Sequence, residues 1–190
     1  MEKQKKFYSP ARNVLLLVMT AGLLGCLAFG RAYLVRHTGW ALSGWITSAM
    51  VVYHMFIRFF VPAVLWIFFR KTYDYRWSWF QPRPWEPRLY RLLRVKRWKA
   101  RAITYDPREF SFQLHSTEDV INNMCHAEAV HELTAVFSLL SILFAIPFGS
   151  AAAFFVTAIL AAAVDLSSVV IQRYNRPRLV KLLERRRRCG

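Results

Sequence analysis

The stretch LTAVFSLLSILFAIPFGSAAAFFVTAILAAAV, residues 133–164, carries no charged side chain. At about 1.5 Å of rise per residue, one continuous helix of that length would overrun the roughly 30 Å hydrocarbon core of a bilayer. Pro147-Phe148-Gly149-Ser150 supplies a break near its middle. The stretch therefore predicts a hairpin of two membrane helices, over residues 127–147 and 150–172.

Towards the N-terminus the same reading finds two more spans. Val14 to Gly30 has neither charge nor proline and is bracketed by Arg12 and Arg31, which predicts a helix over 14–34. Leu23-Leu24-Gly25-Cys26 resembles a lipoprotein cleavage box, but the apolar run continues to Gly30, so a retained membrane helix is the expectation. A turn around Arg36 to Gly39 leads to a second span, 40–69, interrupted only by His54, Arg58 and Pro62, and Pro62 predicts a kink.

A chain that is 55% hydrophobic and carries a net charge of +16 must segregate the two properties. The cations collect at the N-terminus, in residues 70–126 and in the tail 173–190. In the central segment they alternate with Trp77, Trp79, Phe80, Trp85, Tyr90 and Trp98. Basic, tryptophan-rich sequence beside membrane helices suits anionic lipid headgroups rather than nucleic acid. Positive charge marks the cytoplasmic side. The expected architecture is thus an all-α integral membrane protein, a single domain over 1–190. Four transmembrane helices flank a basic, aromatic-rich cytoplasmic segment, and both termini are cytoplasmic. Cys26, Cys125 and Cys189 are widely spaced and odd in number, so they support neither a disulfide framework nor a zinc site.

Ionisable groups concentrate where the third span begins, in His126-Ala-Glu128-Ala-Val-His131-Glu132. At about 100° per residue Glu128, His131 and Glu132 share a helix face and His126 points nearly opposite. That geometry favours a carboxylate paired with His131 over a three-ligand metal site, and the zincin spacing His-Glu-x-x-His is absent. An intramembrane metalloenzyme using His126, Glu128, His131 and His115 or His54 is the rival catalytic reading. A non-catalytic membrane subunit or lipid-binding scaffold is the other alternative. Deeper in the bilayer, Asp165 and Arg58 fall about 8 and 16 Å from the cytoplasmic ends of their spans. An unpaired charge in hydrocarbon costs about 3 kcal/mol, so the two are expected to pair, with His54 one turn from Arg58. Similar depth and phase predict that Glu128, His131, Asp165 and Gln172 converge near the cytoplasmic boundary.

Three features together resemble the glycosyl-4,4'-diaponeurosporenoate acyltransferase family of bacterial membrane proteins over roughly residues 80–188. They are Trp98-Lys99 behind the basic run Arg94 to Arg97, Ala127-Glu128-x-x-His131, and Gln172-Arg173-Tyr174-Asn175-Arg176-Pro177-Arg178-Leu179. The resemblance implies transfer of a fatty acyl group to a sugar hydroxyl of a carotenoid glycoside, in a bacterial inner membrane. Asp165, where the family pattern has asparagine, and Glu132, where it has an aromatic residue, depart from it. Acyl transfer to an alcohol needs a base for the hydroxyl proton and donors for an oxyanion. His131 is the expected base, with Glu128 and Asp165 completing the catalytic set. Gln172, Arg173 and Asn175 are expected to hold substrate, together with Trp98, Lys99 and Arg178 of the matching motifs and with Arg58. No serine or cysteine sits at a recognisable elbow, so direct transfer is expected, with an acyl thioester as co-substrate and no bound cofactor. Membrane lipids and a lipidic or glycolipid acceptor are the expected partners.

Overall fold

The structure, a computed structural model, describes residues 11–70, 72–101 and 106–189. The described residues form helices and turns, with no strand among them. Four helices are long and apolar enough to cross a membrane: Ala11–Arg36, Gly39–Phe69, Thr117–Phe148 and Ala151–Cys189. We label the α-helices α1 (Ala11–Arg36), α2 (Gly39–Phe69), α3 (Glu86–Leu92), α4 (Val95–Trp98), α5 (Thr117–Leu140), α6 (Ala145–Phe148) and α7 (Ala151–Cys189). A 3₁₀ segment, Ser141–Phe144, joins α5 to α6. At the sequence-predicted break, Gly149 (φ 67°) and Ser150 (φ 49°) both take left-handed backbone, and α7 starts at once.

Two boundaries differ from the sequence expectation. The third long helix starts ten residues earlier than 127, at Thr117, because Ser116 and Asp119 cap it reciprocally. The Asp119 amide donates to Ser116 Oγ (3.1 Å) and the Ser116 amide donates to Asp119 Oδ2 (3.1 Å). The fourth does not stop at 172 but runs through Pro177 to Cys189. At about 1.5 Å per residue its 39 residues extend to roughly 58 Å, nearly twice a bilayer core, so its basic half must leave the hydrocarbon.

The chain divides into two compact units. One contains Arg12–Val64 and Glu132–Leu166. Here α1 and α2 pack through small residues: a Cβ on Gly25 would lie 2.5 Å from Ser48 Oγ, and one on Gly44 only 2.6 Å from the Phe29 ring. Close backbone approach of this kind is how membrane helices gain packing when lipid is as apolar as their side chains. The interior of this unit holds Met50, Ile57, Val61, Phe154, Ala158 and Ala162, and polar His54, Thr134, Ser138, Ser141 and Asp165. Outward, Leu27, Ile146 and Leu160 are more than half exposed, as lipid-facing side chains must be.

The other unit contains Leu65–His131 and Ser167–Gly190. Its centre is Tyr73, Phe80 and Cys125, with Tyr75 and Ala129 against them. The Tyr73 amide donates to Asn122 Oδ1 (2.9 Å), and Gln81 Nε2 donates to the Tyr75 carbonyl (2.9 Å), which ties the irregular chain after α2 onto α5. Thus the central basic segment is not a loose surface loop: Phe80 and Val95 are buried while Trp77, Trp79 and Trp85 stay exposed.

Candidate functional site

The polar centre of the second unit is assembled from α5, α7 and the residues between the 3₁₀ turn Ser78–Phe80 and α3. On α7, Arg173 and Arg176 lie at i and i+3 and therefore share a face. Both reach Glu128 of α5, which is fully buried. Arg173 Nη1 is 2.6 Å from Glu128 Oε1, and Arg176 Nη1 donates to Glu128 Oε2. Arg173 also grips Glu86, at the start of α3, through Nε (2.9 Å) and Nη2 (2.8 Å). Tyr90, one turn along α3, donates its hydroxyl to the other Glu86 oxygen at 2.7 Å. Burial and this hydrogen bond to a carboxylate push the Tyr90 pKa above the ordinary tyrosine value.

The same guanidinium groups take three successive carbonyls from the chain beside them. Arg173 donates to Trp79 O (3.1 Å) and Gln81 O (3.1 Å), and Arg176 donates to Phe80 O (2.5 Å) with its guanidinium 5.1 Å from the Phe80 ring. Two carboxylates face two guanidinium groups, so the cluster is neutral, and the carbonyls use up most of the remaining donors. Buried charges tolerate a low-dielectric setting only when paired and hydrogen-bonded in this way.

A second arrangement lies beside it. Tyr174 sits under Arg178 (4.0 Å from the ring centroid) and Lys99 (4.7 Å), with the Tyr90 ring edge-on at 5.3 Å. Lys99 Nζ donates to Asn175 Oδ1 at 2.8 Å, and Trp98 Nε1 donates to Leu93 O at 2.9 Å. Tyr90, Tyr174 and Arg178 line a groove of about 660 Å³ whose walls also include Arg91, Arg94, Lys96, Arg97, Arg173 and Lys181. Among the described residues its only acidic lining residue, Glu86, is already held by Arg173.

The profile of the glycosyl-4,4'-diaponeurosporenoate acyltransferase family matches residues 76–185, more than half of the chain, and this range holds every residue of the cluster and of the groove. The chain belongs to the glycosyl-4,4'-diaponeurosporenoate acyltransferase family. No curated protein and no solved structure matches it. The QRYNRPRL run that suggests the family in the sequence is the segment of α7 that supplies the acyltransferase-family chain with Arg173, Tyr174, Asn175, Arg176 and Arg178.

The sequence-predicted site residues fall into groups. Arg173 and Glu128 are joined directly, Lys99 and Asn175 are joined to each other, and Arg178 lines the groove. His131 and Gln172 are half-buried on α5 and α7 of the same unit, outside the groove lining. Asp165 belongs to the other unit, where its Oδ2 accepts from Arg58 Nη2 at 2.6 Å, so the expected ion pair exists. Arg58 also donates to the carbonyls of His54 (2.6 Å) and Ala161 (3.1 Å). His126 has its own neighbour, with Nδ1 3.3 Å from the Tyr73 hydroxyl. Among the described residues no three histidine, cysteine or acidic side chains are grouped to hold a metal ion.

Sequence reasoning missed Glu86 and Tyr90, and it gave Arg176 no role. Glu86 leaves a trace in hindsight: it is the only acid between Arg76 and Arg101, and Pro84 and Pro87 flank it. Glu128 has a structural role that the sequence did not reveal. Both of its oxygens are engaged by guanidinium groups, so its negative charge balances Arg173 and Arg176 whatever it does for His131.

Proposed function

We propose that this chain is a membrane-embedded acyltransferase that moves a fatty acyl group to a hydroxyl of a glycolipid or carotenoid-glycoside acceptor. The observation that carries this reading is the family match over residues 76–185, which contains the whole buried cluster and the basic groove. Four helices of membrane-spanning length and composition agree with a lipidic acceptor. The positive charge of the central segment and tail supports a cytoplasmic location for these parts and for the chemistry. Accessibility of a cysteine at position 100 to an impermeant reagent in intact cells would overturn that orientation.

In this reading His131 takes the acceptor hydroxyl proton as the oxygen attacks the acyl carbonyl, and Gln172 and Asn175 position the polar part of the acceptor. The Glu86, Glu128, Arg173 and Arg176 cluster holds α7 against α5 so that these side chains keep their places. The test compares lipid extracts, by mass spectrometry, of cells with and without the protein and with His131→Ala. The acylated lipid should appear only with the native chain, and His131→Ala should slow its formation by about 10²- to 10⁴-fold at unchanged protein level. Full turnover by His131→Ala would remove the base assignment. Identical lipid profiles with and without the protein would leave a lipid-binding scaffold as the better account.

A further inference from the structure

Resting on that acyltransferase reading, we propose that the basic groove between the α3–α4 region and α7 binds the phosphorylated nucleotide head of a coenzyme A thioester, the acyl donor. Besides Arg173, six cations, Arg91, Arg94, Lys96, Arg97, Arg178 and Lys181, border one concavity of about 660 Å³ whose single carboxylate among the described residues, Glu86, is spent on Arg173. They come from two segments some 80 residues apart in sequence. They meet because Arg173 fastens α7 to Glu86 and to the Trp79 and Gln81 carbonyls. Such a gathering of like charges is self-repulsive until an anion enters it.

The anion can be specified further. The volume is that of a site for a nucleotide-sized molecule. Coenzyme A carries about four negative charges at neutral pH on a diphosphate and a separate phosphate, which matches several cations spread along two walls. A single lipid phosphodiester offers about one. The six cations are exposed, but the frame behind them is packed. Pro82, Pro87 and Pro177 line the groove, the Tyr174 ring is held between Arg178 and Lys99, and Tyr90 is hydrogen-bonded to Glu86. Arg94 adopts left-handed backbone (φ 50°, ψ 40°), a conformation that is uncommon for an arginine and places it at the corner between α3 and α4. With the head held here, the pantetheine arm must reach from the groove to the acyl chain in the membrane. In the transfer the acceptor oxygen bonds to the thioester carbonyl carbon and the carbon–sulfur bond breaks. The hydroxyl proton passes through the base to the departing thiolate, releasing coenzyme A as the free thiol.

Binding can be read without turnover, on the full chain in phosphatidylcholine nanodiscs, with unacylated coenzyme A as the probe. The expected result is saturable binding near one per chain that weakens as salt is raised, with dephospho-coenzyme A several-fold weaker. Arg94→Gln/Arg97→Gln, and separately the exposed Lys181→Glu, should each weaken it tenfold or more while the unfolding temperature stays within a few degrees of native. Native affinity in both variants would overturn the proposal. So would equal competition by inorganic phosphate, which would indicate a general anion site, or by nanodiscs containing phosphatidylglycerol, which would indicate a lipid headgroup site. Acylated lipid made in cells by a chain that does not bind coenzyme A would sink the donor assignment and leave the acyltransferase reading standing. Coenzyme A binding with no lipid change in cells would sink that reading instead.

Discussion

Substituting Glu128 by glutamine tests the buried cluster most sharply, because the change keeps the shape and removes only the charge. Glu128 is fully buried, and the side chains of its partners Arg173 and Arg176 are 14% and 3% exposed. After the change Arg173 still has Glu86, but Arg176 keeps no carboxylate, only the Phe80 carbonyl and ring and the Cys125 thiol. One guanidinium is left without a counter-charge in a place water hardly reaches. Breaking a buried pair in this way costs about 3–5 kcal/mol. For a chain of this size that corresponds to an unfolding temperature lower by very roughly 6–20 °C. The double variant Glu128→Gln/Arg176→Met removes the stranded charge and leaves mainly an unsatisfied Phe80 carbonyl, a cost of about 1–3 kcal/mol. It should therefore be more stable than the single variant by about 1 kcal/mol or more. The assay is thermal unfolding of detergent-solubilised protein followed by tryptophan fluorescence, run as a double-mutant cycle. A Glu128→Gln protein that unfolds with the native chain, or a double variant whose losses merely add, would refute the claim that charge balance holds α7 to α5 and to the Ser78–Phe80 turn.

Two further outcomes follow from the geometry. Asp165→Asn leaves Arg58, 12% exposed, with two carbonyls but no anion, so folded yield in membranes should fall by the equivalent of about 2–3 kcal/mol. Arg58→Leu/Asp165→Leu should recover most of it, and failure to recover would mean the pair has a role beyond neutralising itself. Tyr90 has its pKa raised in the folded state, first by burial and then by the hydrogen bond to Glu86, so folding favours the protonated phenol. Its contribution is complete below the unfolded tyrosine value of about 10 and is lost as pH climbs through the folded value. The native chain should therefore lose stability above about pH 10 more steeply than Tyr90→Phe, and equal slopes in a denaturation series would remove the linkage.

The parts of this molecule that the sequence reveals are those where the solvent leaves few options. Hydrocarbon offers nothing to a backbone amide or a charge, so the apolar runs had to be helices. For the same reason Arg58 had to find an acid, and few acids were near its depth. Asp165 was therefore identifiable as its partner across 107 positions of sequence. The start of α5 lies ten residues before the expected span because hydrophobicity marks the edge of the bilayer and not the end of the helix, which local hydrogen bonds between Ser116 and Asp119 set. The centre of the second unit was not legible. Glu128 and Glu86 lie in a chain with 27 lysines and arginines against 11 acids, so composition guarantees each carboxylate a cation without saying which one. Arg173 and Arg176 were the answer because α7 does not end at 172 and so keeps the two on one helical face. A motif such as QRYNRPRL can mark the right segment, yet the division of labour within it is set by helix phase against another element. Arg176 turns inward to Glu128, Arg173 spans the carboxylates and the groove wall, and Tyr174 and Arg178 turn to the groove. On the proposed reading, substitutions at Arg176 should therefore act on stability, those at Arg178 on what the groove binds, and those at Arg173 on both.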